Sequence, residues 1–97
     1  MAYFSKLTAS GQVVTGRYKF HGYLIGTDGT NDPTITITDE DNAAGKNSGE
    51  MIPTATYDAT ALGMNGAILT EPIDCLYGIY LTISISAGAV EVTVFYS

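Results

Sequence analysis

The stretch Leu76-Tyr77-Gly78-Ile79-Tyr80-Leu81-Thr82-Ile83-Ser84-Ile85-Ser86-Ala87-Gly88-Ala89-Val90-Glu91-Val92-Thr93-Val94-Phe95-Tyr96 most narrows what this chain can become. Ile79, Leu81, Ile83 and Ile85 fall on one face, with Tyr80, Thr82, Ser84 and Ser86 on the other. Val90, Val92, Val94 and Tyr96 resume the pattern after a break at Ala87-Gly88-Ala89. A period of two marks half-buried strands. The spacing predicts a hairpin with its turn over Ser86 to Ala89. Ile85 then faces Val90, Ile83 faces Val92 and Leu81 faces Val94, so the two apolar faces coincide.

The same grammar runs upstream. Tyr3 to Thr8 reads as a first strand or arm, closed by Ser10-Gly11. Val13-Val14-Thr15-Gly16 leads into Arg17 to Ile25, where Tyr18, Phe20, Gly22 and Leu24 share one face and Arg17, Lys19, His21 and Tyr23 the other. Thr27-Asp28-Gly29-Thr30-Asn31-Asp32-Pro33 is a dense turn cluster. Thr34 to Thr38 alternates with Ile35 and Ile37 inward, and Asp39 to Gly49 is a polar loop. Glu50 to Thr54 carries Pro53, which confines it to an edge or a strand end. Tyr57 to Gly66 fits either one helical turn or a packed loop. Ala67 to Thr70 and Ile73 read as strand fragments interrupted by Pro72.

Seven or eight short strands with regular turn signals predict an all-β protein, a single antiparallel β-sandwich of jelly-roll or Ig-like type. Residues 1–97 form one domain, with 1–10 as an N-terminal arm. No apolar run reaches membrane-spanning length, and the N-terminus lacks the order of a signal peptide. The expectation is a protein made in a cytoplasm and left unprocessed. Cys75 alone offers no internal disulfide.

Chemistry is harder to find. Cys75 with His21 supplies the two groups that nucleophilic catalysis needs, but no Gly-rich elbow surrounds Cys75. Between Asp74 and Leu76 it reads instead as a small buried apolar residue. One histidine and one cysteine cannot build the usual zinc sets. Asp39-x-Asp41 begins like a calcium loop, yet Ala43 and Ala44 stand where a ligand and the glycine belong. A calcium or magnesium ion between neighbouring loops is the rival to acids that stabilise their own turns. The second reading prevails, so no metal, cofactor or enzymatic activity is expected.

Surfaces remain. Charged residues make up only 14% of the chain, and the seven tyrosines come without a tryptophan, which disfavours a sugar platform. Lys6, Arg17 and Lys19 give residues 1–27 a charge of +3 with no acid, whereas ten acids and Lys46 leave residues 28–97 at −9. No cluster of cations fits a phosphate backbone, so nucleic acid is not an expected partner. A basic N-terminal part suits an acidic protein partner. Tyr18 and Tyr96 are expected inward with hydroxyls at the rim, and Tyr23, Tyr80 and Phe95 outward. Thin charge and outward aromatics favour association.

The whole chain resembles a family of small virion proteins of tailed bacteriophages. The pattern is Thr15-Gly16, His21-Gly22-Tyr23-Leu24-Ile25-Gly26, Thr27-Asp28-Gly29-Thr30-Asn31-Asp32 and Ile35-Thr36-Ile37-Thr38-Asp39. It continues through Gly45-Lys46, Met51-Ile52-Pro53, Glu71-Pro72-Ile73 and Gly78-Ile79-Tyr80-Leu81-Thr82-Ile83. Such chains are similar to capsid decoration (cement) proteins and to head-fibre or tail-associated proteins. The resemblance implies a sandwich, usually trimeric, packed on the major capsid protein at the virion surface after synthesis in the host bacterial cytoplasm. It carries over no binding residues. The expectation drawn from charge and aromatics is that Tyr3, Phe4, Lys6, Arg17 and Lys19 face the capsid. Tyr80 and Phe95 are expected to make contacts between copies. The alternatives are a fibre or tail module that binds receptor glycans, and a head–tail adaptor.

Overall fold

The computed structural model describes residues 3–41, 49–59 and 65–97. Eight strands follow in order: β1 (Tyr3–Leu7), β2 (Gly11–Thr15), β3 (Tyr18–Thr27), β4 (Thr34–Thr38), β5 (Glu50–Thr56), β6 (Asn65–Cys75), β7 (Gly78–Ser84) and β8 (Val90–Tyr96). They form two four-stranded antiparallel sheets, one ordered β1-β8-β3-β6 and the other β2-β7-β4-β5. The pairs β1 with β8, β2 with β7, β3 with β6 and β4 with β5 are those of one long antiparallel double strand rolled up on itself. That is the jelly-roll sandwich, the first of the two topologies expected.

The rolled topology overturns the predicted C-terminal hairpin. β7 and β8 do not pair; they lie in opposite sheets, and the 85–89 link crosses between them. Val92 lies opposite Leu7 on β1 and Ile25 on β3, and Leu81 opposite Gly11 on β2 and Ile37 on β4. The apolar faces were assigned correctly: Ile79, Leu81, Val92 and Val94 are fully buried. Alternation says which face is apolar. It does not say whether two such faces lie side by side in one sheet or confront each other across a core.

Between the sheets sit Phe20, Tyr23, Ile25, Ile35, Ile37, Cys75, Ile79, Leu81, Val90, Val92 and Val94. The strand bearing Pro53 is at an edge, as the missing N–H requires. The fragments around Pro72 are one edge strand, β6, with the proline in a bulge. Its register jumps from Phe20 opposite Ile73 to Gly22 opposite Ile68. Residues 42–48, with Ala43 and Ala44, and residues 60–64 of the ambiguous segment lie outside the described residues.

The bulge corrects a second expectation. β3 shifts register at Phe20/Gly22 against both neighbours, so its alternation reverses there. Phe20 points into the core, and so do Tyr23 and Ile25, while Leu24 turns outward and is half-buried. Tyr23, expected outside, is only 6% exposed, and its hydroxyl meets that of Tyr57 at 2.7 Å. Burial, and then that bond, raise its pKa above the ordinary phenol value.

Gly22 makes the bulge possible. Its φ is +149°, and a Cβ there would collide with the Ala67 carbonyl oxygen and come within 2.9 Å of Ile68 Cα. Gly66 answers it across the pair with φ +145° and a similar approach to Tyr23 and Leu24. Gly22→Ala is expected to lower unfolding free energy by about 2 kcal/mol or more. Gly49→Ala, with open space around it, should stay within about 0.5 kcal/mol of wild type in the same urea titration.

Candidate interaction surface

Residues directly opposite on neighbouring strands share a face of the sheet. Across the outer face of β1-β8-β3-β6, Phe4 lies opposite Phe95, Phe95 opposite Gly22, and Gly22 opposite Ile68. Phe4 is 63% and Ile68 62% exposed, and Phe95 is half-buried. Ile68 Cδ1 lies 3.1 Å from where a Cβ of Gly22 would stand, so the isoleucine leans over the bare glycine. The adjacent row reads Lys6, Thr93, Leu24 and Gly66. An apolar stripe thus crosses the four strands with a cation beside one end. Single exposed apolar residues are ordinary on any protein; a row of them is a candidate contact surface.

Two further basic residues sit near the bulged edge. Arg17 and Lys19 line a groove of about 470 Å³ with Asp74 and Leu76. Lys19 Nζ reaches Asp74 Oδ1 at 4.0 Å, both side chains being well exposed, so water screens the pair and it contributes little. Leu76 and Tyr77, 50% and 43% exposed, project from the β6–β7 turn. Asp39 explains their posture. Its carboxylate accepts from the N–H groups of Leu76 at 2.9 Å, Tyr77 at 2.9 Å and Gly78 at 3.2 Å, fixing the turn while the two side chains stay outside.

The expected contact residues fall into separate groups. Phe4, Lys6 and Phe95 come together on one outer face. Tyr3 departs from Phe4 by alternation, stacking at 5.8 Å on Tyr96, which meets Tyr18 edge-on at 5.5 Å and bonds Ser5 at 3.3 Å. Tyr80, on β7, belongs to the opposite sheet from Phe95 on β8. Tyr80 and Phe95 therefore belong to two separate patches, one on each sheet's outer face. Ile68, Leu76 and Tyr77 escaped the sequence reading. The bulge scrambled the alternation around Ile68, and Leu76 and Tyr77 precede the regular part of β7.

The remaining groups are committed to the fold. Cys75 is buried and its thiol reaches Met51 Sδ at 3.1 Å; burial, and then the nearby Asp39 charge, push its pKa up to about 12. A thiol at neutral pH is a poor nucleophile. His21 bonds Ser97 Oγ at 2.7 Å. Asp28 accepts from the N–H groups of Asn31, Thr30 and, on the link between β7 and β8, Ala89, which together with the Asn31 side chain hold its carboxyl well below the usual carboxylate range. Asp32 accepts from Ala59 N–H at 2.9 Å. Among the described residues, no three His, Cys, Asp or Glu side chains converge as metal ligands would, and no helix is long and apolar enough to cross a membrane.

The geometry therefore defines a jelly-roll domain with an apolar, cation-flanked outer face. Compared with protein-family models, curated proteins and solved structures, the chain matches none.

Two outcomes follow from these groups. A disulfide reagent should label Cys75 at least about tenfold more slowly in the native protein than in urea, as suits a buried, protonated thiol. Asp28 has a depressed pKa in the folded state, so its stabilisation is complete above the unfolded value of about 3.9 and is lost as the pH falls below it. Asp28→Asn should lower Tm at pH 7 and flatten the loss of Tm between pH 4 and pH 2, read by thermal melts across that range.

Proposed function

We propose that this chain is a structural virion protein that decorates and stabilises a bacteriophage capsid as a homo-oligomer, acting through contact and not through catalysis. The observation that carries the reading is the exposed row Phe4–Phe95–Ile68 with Lys6 beside it, joined by Arg17, Lys19, Leu76 and Tyr77 at the bulged edge. Aromatic and aliphatic anchors supply buried area, and cations around them select an acidic partner surface and reject a basic one. Each copy bound across a boundary between major capsid proteins adds contacts that the shell loses on bursting, so binding stabilises the closed shell by mass action. Jelly rolls occur in capsid proteins and in lectins, an analogy of fold that raises the prior without assigning a role. The reading also takes up the sequence resemblance to phage decoration proteins, which implies a position at the virion surface.

The receptor-binding alternative has its own support. The outer face of β2-β7-β4-β5 carries Thr34, Thr36, Thr54, Thr56, Thr82 and Ser84, with Thr34–Thr56 and Thr36–Thr54 bonded at 2.8 and 2.7 Å. An uncharged hydroxyl array suits a glycan better than do the aspartate loops, where Asp28, Asp32 and Asp39 already bond backbone N–H groups.

The deciding experiment stripped capsids make possible is rebinding. Wild-type protein should cosediment with capsids of the phage that encodes it, and Phe4→Asp combined with Ile68→Asp should weaken that at least about tenfold with circular dichroism unchanged. Undiminished rebinding by the double variant removes this face from the interface; absence of wild-type binding, with binding to a glycan array, favours the alternative.

A further inference from the structure

The four sheet edges are not equivalent. β5 carries Pro53 and two register shifts, β6 carries Pro72 and a wide bulge, and β2 shifts register between Gln12 and Val14. Prolines and bulges are the devices by which proteins prevent a foreign strand from adding to an edge. β1 has neither. Its five residues pair with β8 without interruption, from Tyr3 opposite Tyr96 to Leu7 opposite Val92. It is also the edge that exposes large apolar side chains at adjacent positions, Tyr3 at 56% and Phe4 at 63%. A regular, apolar edge invites strand addition unless something covers it.

We propose that the cover is β1 of a second copy, added antiparallel about a two-fold axis through Ser5. The sequence of the strand, Tyr-Phe-Ser-Lys-Leu, is complementary to itself in that register. Phe4 lies opposite Lys6 of the second copy on the outer face, an aromatic ring against an ammonium. Tyr3 lies opposite Leu7 of the second copy on the inner face, apolar against apolar, and Ser5 faces Ser5. The strand's one charge is never opposed to its like. Centring the axis on Lys6 would set two ammoniums face to face and leave Phe4 without its partner. An acidic foreign strand would also suit Lys6, but it would leave the Tyr3 and Leu7 match unexplained.

The contact is isologous, so it closes at two copies, uses up both β1 edges and leaves only the proline-bearing, bulged β6 strands at the ends of the joined sheet. The two β1-β8-β3-β6 sheets become one eight-stranded sheet. Its outer face carries two copies of the Phe4–Phe95–Ile68 row, with each Lys6 placed over the Phe4 of the other chain. This inference concerns contacts between copies alone and is independent of capsid binding. It adds a two-fold contact to whatever three-fold arrangement the resemblance to phage proteins implies.

The register makes a geometric demand that the purified protein can answer. Directly opposed residues on antiparallel strands have Cα atoms about 4.5–5.5 Å apart, within reach of a disulfide. The two Tyr3 positions would be about 14 Å apart, out of reach. Cys75 is buried and does not compete. Under mild oxidation, Ser5→Cys should give disulfide-linked dimers in at least about fivefold excess over Tyr3→Cys at equal concentration. A mixture of Tyr3→Cys with Leu7→Cys should give the mixed dimer.

A charge series keeps the test independent of any loss of folding at position 5. Phe4→Lys opposes two ammoniums and should weaken dimerisation by roughly tenfold by sedimentation. Combining it with Lys6→Glu should restore dimerisation. A monomer up to millimolar concentration, or an oligomer in which Ser5→Cys links no better than Tyr3→Cys, overturns the proposal. So does failure of the double substitution to restore association.

Discussion

Everything in this fold depends on two apolar sheet faces being pressed together by one rolled antiparallel double strand. Ile79 and Leu81 come from one sheet, and Val92, Val94 and Ile25 from the other; all are at most 1% exposed. Among the described strands, only β4 and β5 are consecutive and paired. Every other link carries the chain from one sheet to the other, so the layers are laced together at both ends. Such a core cannot be assembled from local hairpins. Its contacts are long-range, and the closure of the chain must precede the burial that stabilises it.

The bulge at Phe20/Gly22 links that core to the surface. Without it, the face of β3 set by Phe20 would bury Leu24 and expose Tyr23 and Ile25. The extra residue re-aims the second half of the strand, so that Tyr23 and Ile25 reach the core. Gly22, left bare by the same geometry, lets β6 approach closely and lets Ile68 lie across the outer face. One backbone irregularity therefore completes the interior and also joins the apolar row that the proposed contacts use. Position 22 serves both the interior and the outer face because only a residue without a Cβ fits beside the Ala67 carbonyl.

The acids play a quieter part. Asp28 and Asp39 stand at opposite ends of the sandwich and satisfy N–H groups on neighbouring loops. Carboxylates used this way hold turns in one conformation and so fix where Leu76 and Tyr77 stand. The net charge of −6 therefore sits partly in the scaffold. Among the described residues the cations stay outside that scaffold: Lys6 and Arg17 are exposed, and Lys19 is only loosely paired.

Alternation in the sequence was enough to name most of the strands, the buried faces of β4, β7 and β8, and the sandwich class. This is because burial of one face imposes a period of two whatever the partner. It also marked Pro53 as an edge residue, since a missing N–H acts locally, and Cys75 as a buried thiol. Strand pairing was beyond its reach: the C-terminal strands look like a hairpin because Ile83 and Val92 would match equally well beside each other or across the core. The fate of Tyr23 was hidden too, as one inserted residue reverses every face after it and nothing but the two neighbouring strands shows where it is inserted. Which surface residues stand together is decided by tertiary structure alone. Phe4, Phe95 and Ile68 are far apart in the chain and become a row only when β1, β8, β3 and β6 are laid side by side.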